Sequence, residues 1–470
     1  MFEIYFDLQG TMAIICILCI VTVCVFEFVN GFHDTANAVA TVIYTKSLKP
    51  IPAVIWSGIW NFLGVLCSSY LFGMAVAGKI AALIPLESVL SRNFSEAIAM
   101  IVAALVGAII WNVGTWYFGI PCSSSHTMIG SLLGVGIVFS LLPGSGDKVG
   151  VNWGEAYKIM NSLLISPLFG FSMAIVLMFM LKSFIKDKTI FKEPENDQPP
   201  PFWLRSILIG TCTLVSFFHG SNDGQKGVGL MLIVLMAFMP VQYALAPDFN
   251  KDEFAHTLKM MKESLNREST LNFEMERTLC ASADKLEHFE KYIESLNISQ
   301  GRQLMIARKQ MGVLSKELKV IVTEPNLITE KSNQKILKDG IHQLNKYTTY
   351  VPAWTILLIS ISLGIGTMIG WKRIVVTIGE KIGKRHMTFA EGASAELVAS
   401  STIGLASGLG LPVSTTHVLS SGVAGAMVAS KGIKNLQKGT VKNIVLAWIL
   451  TLPATILLSG GLYLLIRHFI

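Results

Sequence analysis

Asn30-Gly31-Phe32-His33-Asp34-Thr35-Ala36-Asn37-Ala38 and His219-Gly220-Ser221-Asn222-Asp223-Gly224-Gln225-Lys226-Gly227 are two versions of one polar phrase, superimposing without a gap at Gly31/Gly220 and Asp34/Asp223. Both are set in apolar sequence. A carboxylate in the middle of a hydrophobic span costs about 2.5–3.5 kcal/mol even on a lenient insertion scale, so two at matching places imply that the charge is used. A second pair, Pro121-Cys122-Ser123-Ser124-Ser125-His126 and Pro412-Val413-Ser414-Thr415-Thr416-His417, repeats the string Pro-x-Ser-[Ser/Thr]-[Ser/Thr]-His. Duplicated polar breaks of this kind point to a solute site between two structural repeats.

Working outward, the 470 residues are 52% hydrophobic and 15% charged, with mean hydropathy +0.55. Soluble domains carry about 25% charged residues, so this is an all-α polytopic membrane protein in a lipid bilayer. Apolar stretches near the ~20 residues that cross a hydrocarbon core recur from 11–29 to 443–466. The first follows an acidic leader (Glu3, Asp7) without a basic n-region or cleavage site, and reads as a retained span. A net charge of +7 would suggest nucleic acid in a soluble protein; here the basic residues cluster in short loops, the positive-inside pattern, and no nucleic-acid partner is expected. Six of seven cysteines lie in or beside apolar spans and Cys280 stands alone, so neither a disulfide framework nor a metal site is expected.

The chain divides into a transmembrane repeat 1 (1–181), a Lys- and Pro-rich cytoplasmic linker (182–203), the start of transmembrane repeat 2 (204–247), a hydrophilic insertion (248–350) and the remainder of repeat 2 (351–470). Asp34 and Asp223 are 189 residues apart but His126 and His417 are 291 apart; the insertion accounts for the difference. It carries 16 basic and 15 acidic residues, with Leu258, Met261, Leu265 and Leu279, Leu286, Phe289, Ile293 at helical spacing, and reads as a small helical domain. If 11–45 and 204–247 are each one crossing broken at the motif, sixteen basic residues fall on one side and five (Lys79, Arg92, Lys148, Lys158, Arg467) on the other. The second half then enters from the opposite face, which makes the two halves inverted-topology repeats.

At each Gly-Asp motif a broken helix is expected, with Gly31, Gly220, Gly224 and Gly227 supplying irregular chain and Asp34 and Asp223 free to hold a proton or a sodium ion. The competing reading makes each aspartate the cap of a half-helix. The Pro-x-Ser strings read as hairpins in which proline stops one helix and Ser/Thr begin the next. Two such helix starts, facing each other, would offer hydroxyls and backbone N–H groups to a tetrahedral oxyanion. His126 and His417 are expected to fix the hairpins by hydrogen bonds; an adjacent Ser-His pair without an orienting acid does not make a hydrolase, so no enzyme is expected.

On these strings the chain resembles the PiT family of inorganic phosphate transporters, in particular the bacterial low-affinity permeases, and the resemblance covers both halves. It implies an inverted-repeat symporter in the cell inner membrane, often a homodimer, taking up inorganic phosphate with protons or sodium, and accepting it as a divalent-cation complex. By position it places Asp34, Asn37, Ser123, Ser124, Ser125, Asn222, Asp223, Ser414, Thr415 and Thr416 around substrate and coupling ions. His33 and Lys226 stand where the family pattern has Asn, so His33, Asp34, Asp223 and Lys226 are the candidate ion-coupling residues. An ammonium at Lys226 can fill a sodium position and an imidazole at His33 can take a proton, so proton coupling is expected, with no tightly bound cofactor. The alternatives are sodium coupling, another oxyanion or, from another class, a receptor or regulatory protein acting through 248–350.

Overall fold

The computed structural model describes residues 10–90, 94–143, 150–194, 199–268, 273–324 and 327–469. Glu3, Asp7, Arg92 and Lys148, used in the leader and orientation readings, lie outside them. Two compact units emerge, one of Gly10–Val234 with Pro352–Ile470, the other of Leu235–Val351. Among the described residues there is no strand, only the isolated bridge between Gly383 and Leu436.

The first unit opens with α1 (Thr11–Tyr44), α2 (Pro50–Leu71), the short α3 (Ala75–Ala81) and α4 (Leu86–Leu90), α5 (Phe94–Tyr117), α6 (Ser124–Leu141) and α7 (Trp153–Phe184). After the linker, α8 runs from Phe202 to Phe238 and α9 from Pro240 to Tyr243. The second unit contributes α10 (Lys251–Arg267), α11 (Phe273–Glu294), α12 (Gly301–Thr323) and α13 (Lys331–Thr348). The chain returns to the first unit with α14 (Ala353–Met368), α15 (Lys372–Glu380), α16 (Phe389–Gly408), α17 (Thr415–Lys431) and α18 (Lys438–Ile466). Seven described helices, α1, α2, α5, α6, α7, α8 and α18, are long and apolar enough to cross a membrane, which makes this a multi-pass membrane protein.

One expectation is corrected. Neither Gly-Asp motif breaks its helix: α1 is continuous for 34 residues and α8 for 37. The glycines serve close approach instead. A methyl group on Gly31 would stand 2.5 Å from Leu363 O and 2.8 Å from Thr367 N of α14, and one on Gly220 would strike the Asn61 backbone of α2. Small residues let helices touch backbone to backbone in lipid while every main-chain group stays paired within its own helix. Gly64 of α2 lies in turn against Phe217 of α8, so these two helices are mutually notched.

Packing crosses between the chain halves. α6 lies on α18 and α17 on α7, so the helix that follows each Pro-x-Ser string packs against the last helix of the other half; α1 and α2 both pack on α14. In the first turn of α5, Glu96 accepts from Tyr463 and from Arg467 Nη2 at 2.6 Å, tying down α18.

The second unit is a four-helix bundle in which α10 packs on α11 and α13, and α12 on α11 and α13. The residues at helical spacing, Leu258, Met261, Leu265, Leu279, Leu286, Phe289 and Ile293, are all buried, and Leu304, Met311, Leu318, Leu337 and Leu344 complete its core. Asn250 caps α10, and the Glu268 carboxylate accepts from Thr329 N (2.9 Å) and Glu330 N (3.1 Å) at the entrance to α13. Those bonds, joined by Asn333 Nδ2 at 2.9 Å, outweigh partial burial and hold the Glu268 carboxyl below the usual glutamate range.

Candidate functional site

Each Pro-x-Ser string forms the same turn. α5 ends at Tyr117, Gly119 takes φ +66°, the chain passes Pro121, and Ser123 caps α6 by accepting from His126 N at 3.2 Å. The second copy repeats it: α16 ends at Gly408, Gly410 takes φ +65°, and Ser414 caps α17 by accepting from His417 N at 3.2 Å. A positive φ is cheap only for glycine, which places Gly119 and Gly410 where the chain must reverse. The first turn is pinned from outside: Thr377 of α15 donates to Gly119 O at 3.0 Å and Arg373 lies over Trp116 and Tyr117. The histidines behave differently from one another. His126 Nδ1 lies 2.9 Å from Ser123 Oγ, as expected, but His417 packs between His126 and Trp448, with ring centroids 4.5 and 4.2 Å away.

The two helix starts converge on the two acidic helices. Asp34 of α1 accepts from Ser124 Oγ at 2.9 Å and Thr416 Oγ1 at 2.8 Å, with Thr415 Oγ1 at 3.5 Å. Asn37, one turn on, donates to Thr416 Oγ1 at 2.9 Å. Across the site, Lys226 of α8 donates to Asp223 Oδ1 (2.7 Å), Ser125 Oγ (2.6 Å) and Val413 O (2.8 Å). Asn37 and Lys226 occupy equivalent places in the two motifs, as do Thr416 and Ser125 in the two strings; each motif therefore bonds the string of the other half. All these side chains are at most 2% exposed.

His219 joins the two clusters. Its Nε2 is 3.6 Å from Asp34 Oδ2 and 3.6 Å from Asp223 Oδ2. Its Nδ1 lies 2.6 Å from Asn61 Oδ1, and the Asn61 amide nitrogen donates to Ser57 O at 3.1 Å. With the amide assigned this way, Nδ1 carries a proton, and Nε2 faces two carboxylates. The space between Nε2 and the two carboxylates is therefore lined by acceptors and suits a cation. The ligand atoms of Asp34, His219 and Asp223 lie within 4.8 Å of one another, a set that could hold a divalent metal ion. His33 resolves similarly: Nδ1 is 3.2 Å from Asp34 Oδ1 and Nε2 3.2 Å from Thr115 Oγ1, whose own hydrogen goes to Trp111 O.

All twelve residues singled out in the sequence lie in or against this network. Three of them hold it up. Ser123 and Ser414 are caps, and Asn222 donates to Leu411 O (3.1 Å) and accepts from Val413 N (3.2 Å), fixing the second turn. Asp34, Asp223, Ser124, Ser125, Thr415, Thr416, Asn37, His33 and Lys226 face the shared centre or bond what does. His219 is the residue that motif reading passed over, although it stands beside Gly220 where the first motif has Asn30; Asn61 and Thr115 carry no sequence signal.

Two half-chains that bring buried acids, an ammonium and two Ser/Thr helix starts to one point inside an apolar helix bundle define the class of solute-translocating membrane proteins. The chain belongs to the Phosphate transporter family, whose model matches residues 30–459. It is 39% identical to the low-affinity inorganic phosphate transporter PitB of Escherichia coli K12 over 98% of this chain and 99% of that one. It is 38% identical to PitA of the same strain over the full length of both, and 28% identical to a probable low-affinity inorganic phosphate transporter of Bacillus subtilis over 97% of this chain and 98% of that one. A solved structure titled "The sodium-dependent phosphate transporter" shares the fold, with TM-score 0.55 at 20% identity, covering 97% of this chain and 100% of the other.

Proposed function

We propose that this protein is a secondary active symporter that takes up inorganic phosphate with protons across the inner membrane of a bacterial cell, its two halves acting as inverted repeats and two copies pairing as a homodimer. The named activity of the relatives supports phosphate as the solute. The observation that carries the coupling is the Lys226 ammonium, fixed by three oxygens at 2.6–2.8 Å beside Asp223. The ammonium nitrogen takes the coordination that a sodium ion would otherwise use, and both ring nitrogens of His33 face oxygens of the same network.

Ser124, Ser125, Thr415 and Thr416, with the first-turn N–H groups of α6 and α17, form the anion cradle in this reading, since helix starts favour phosphate. Their hydroxyls turn from Asp34 and Lys226 to phosphate oxygens when substrate enters. The Asp34–His219–Asp223 set favours cargo in which a divalent cation accompanies the phosphate, because a neutral complex adds no charge to a buried centre.

The test is uptake of labelled phosphate by reconstituted vesicles under an imposed pH gradient without sodium, with and without magnesium. Accumulation above equilibrium that collapses with the gradient is expected; uptake only when sodium is supplied rejects proton coupling, and indifference to magnesium rejects the metal complex.

A further inference from the structure

The polar face of α1 continues beyond Asp34. Two turns earlier, Glu27 lies on the same face and is 0% exposed. Its Oε2 accepts from Asn30 Nδ2 at 3.2 Å, while Glu27 Oε1 and Asn30 Oδ1 are buried without a hydrogen-bond partner. The carboxyl group lies flat against Gly227 of α8, the residue after Lys226; any side chain at Gly227 would strike it. The ionisable groups within its electrostatic reach are Cys24 and Asp34 on its own helix and Asp223 and Lys226 on α8. Of the other elements packed on α1, α2 and α14 bring no acidic or basic residue, Glu96 of α5 is paired with Arg467, Glu396 of α16 accepts from Thr211 at 2.5 Å, α6 and α17 bring His126 and His417, and α15 brings Lys372 and Arg373, the latter over Trp116 and Tyr117.

We propose that Glu27 is a proton carrier of the transport cycle, taking a proton from water on the side of high proton activity and returning it to water on the other, one O–H bond formed and broken per turnover. The inference rests on the proton-coupled reading above. Its physical basis is the Glu27–Asn30 pair. An ionised carboxylate buried at membrane depth is costly unless paired, and Glu27 has one neutral amide, so a purely structural acid gains little there. An amide suits both protonation states: Nδ2–H donates to the ionised acid, and after a half-turn of the amide Oδ1 accepts from the neutral one. The two atoms left without partners are those that the neutral acid and the turned amide would join.

The experiment uses the full chain in vesicles loaded with a pH-sensitive dye, without sodium. Phosphate exchange at equal phosphate and pH on both sides is compared with accumulation under an inward proton gradient. Glu27→Gln keeps shape and an amide partner for Asn30; exchange within about threefold of the parent, with accumulation and dye-reported proton entry down at least about tenfold, is expected. Equal accumulation in Glu27→Gln overturns the inference alone, and loss of exchange together with accumulation overturns it in favour of a structural role. A parent protein that moves no protons overturns the coupling proposal and this one together. Should Glu27→Gln not fold, Glu27→Asp takes its place: a shifted pH profile of accumulation is expected, and an unchanged profile overturns the inference.

Discussion

The Lys226 ammonium lies 2.6 Å from Ser125 Oγ, a contact that joins residues 101 positions apart and fastens the second acidic helix to the first hairpin. Removing the ammonium leaves Asp223 buried and uncompensated, which costs about 3–5 kcal/mol for a broken buried pair. Lys226→Asn is therefore expected to lose sodium-free uptake and to recover part of it when sodium is added, measured as initial rates in the two media. Full sodium-free uptake would show that the ammonium takes no part in coupling.

Asp34 accepts its strong bonds from hydroxyls and Asp223 from an ammonium, so the two carboxylates differ in what neutralisation does. Asp34→Asn keeps an acceptor for only one of Ser124, which bonds Oδ2, and Thr416, which bonds Oδ1, and loses charge-assisted bonds worth about 1.5–3 kcal/mol; accumulation should vanish while the protein stays folded. Asp223→Asn strands Lys226 and should lower Tm further. Thermal melts in detergent alongside uptake decide both, and normal uptake in either variant rejects the proposed role.

Within one hairpin, neighbouring serines should separate. Ser123 caps α6 and Ser124 faces Asp34. Ser123→Ala is expected to cost about 1 kcal/mol of stability as a lost cap, and Ser414→Ala the same at α17. Ser124→Ala and Thr415→Ala should instead raise the KM for phosphate with little change in Tm. Unchanged kinetics in both would make these hydroxyls helix ties.

Gly220→Ala improves helix propensity yet should destabilise, since the new methyl meets the Asn61 backbone. Overpacking costs about 1–3 kcal/mol. Lower Tm and lower yield in the membrane are the expected outcome; a neutral Gly220→Ala would reject the close α2–α8 approach.

In the helical insertion, the folded state holds Glu268 below its ordinary range. Its stabilisation is complete above the unfolded pKa and is lost as pH falls through the folded one. Amide exchange at residues 327–331 should therefore accelerate in mild acid, and Glu268→Gln should abolish that pH dependence.

What could be read from the chain divides along physical lines. The hairpins were legible because Pro121 and Ser123 set their turn locally and Pro412 and Ser414 repeat it, whereas the reversals at Gly119 and Gly410 emerged only from the backbone. The membrane class followed from hydropathy. The continuity of α1 and α8 was not legible, because glycine serves equally for an irregular turn and for close approach, and only the partner backbone at Leu363 or Asn61 decides. His219 was missed for a related reason: its meaning comes from Asp34, 185 positions away, and from Asn61, 158 positions away.

The exchange of partners between halves, Asn37 with Thr416 and Lys226 with Ser125, bears on biogenesis. When α1 leaves the ribosome, Ser124, the first hydroxyl that bonds Asp34, is still 90 residues from being made, and Thr415 and Thr416 are more than 380 away, so Asp34 acquires its partners in two stages. The second hairpin, made last of the four elements, completes the bonds of Asp34, Asn37 and Lys226 together, so the polar centre can close only after nearly the whole chain has been synthesised.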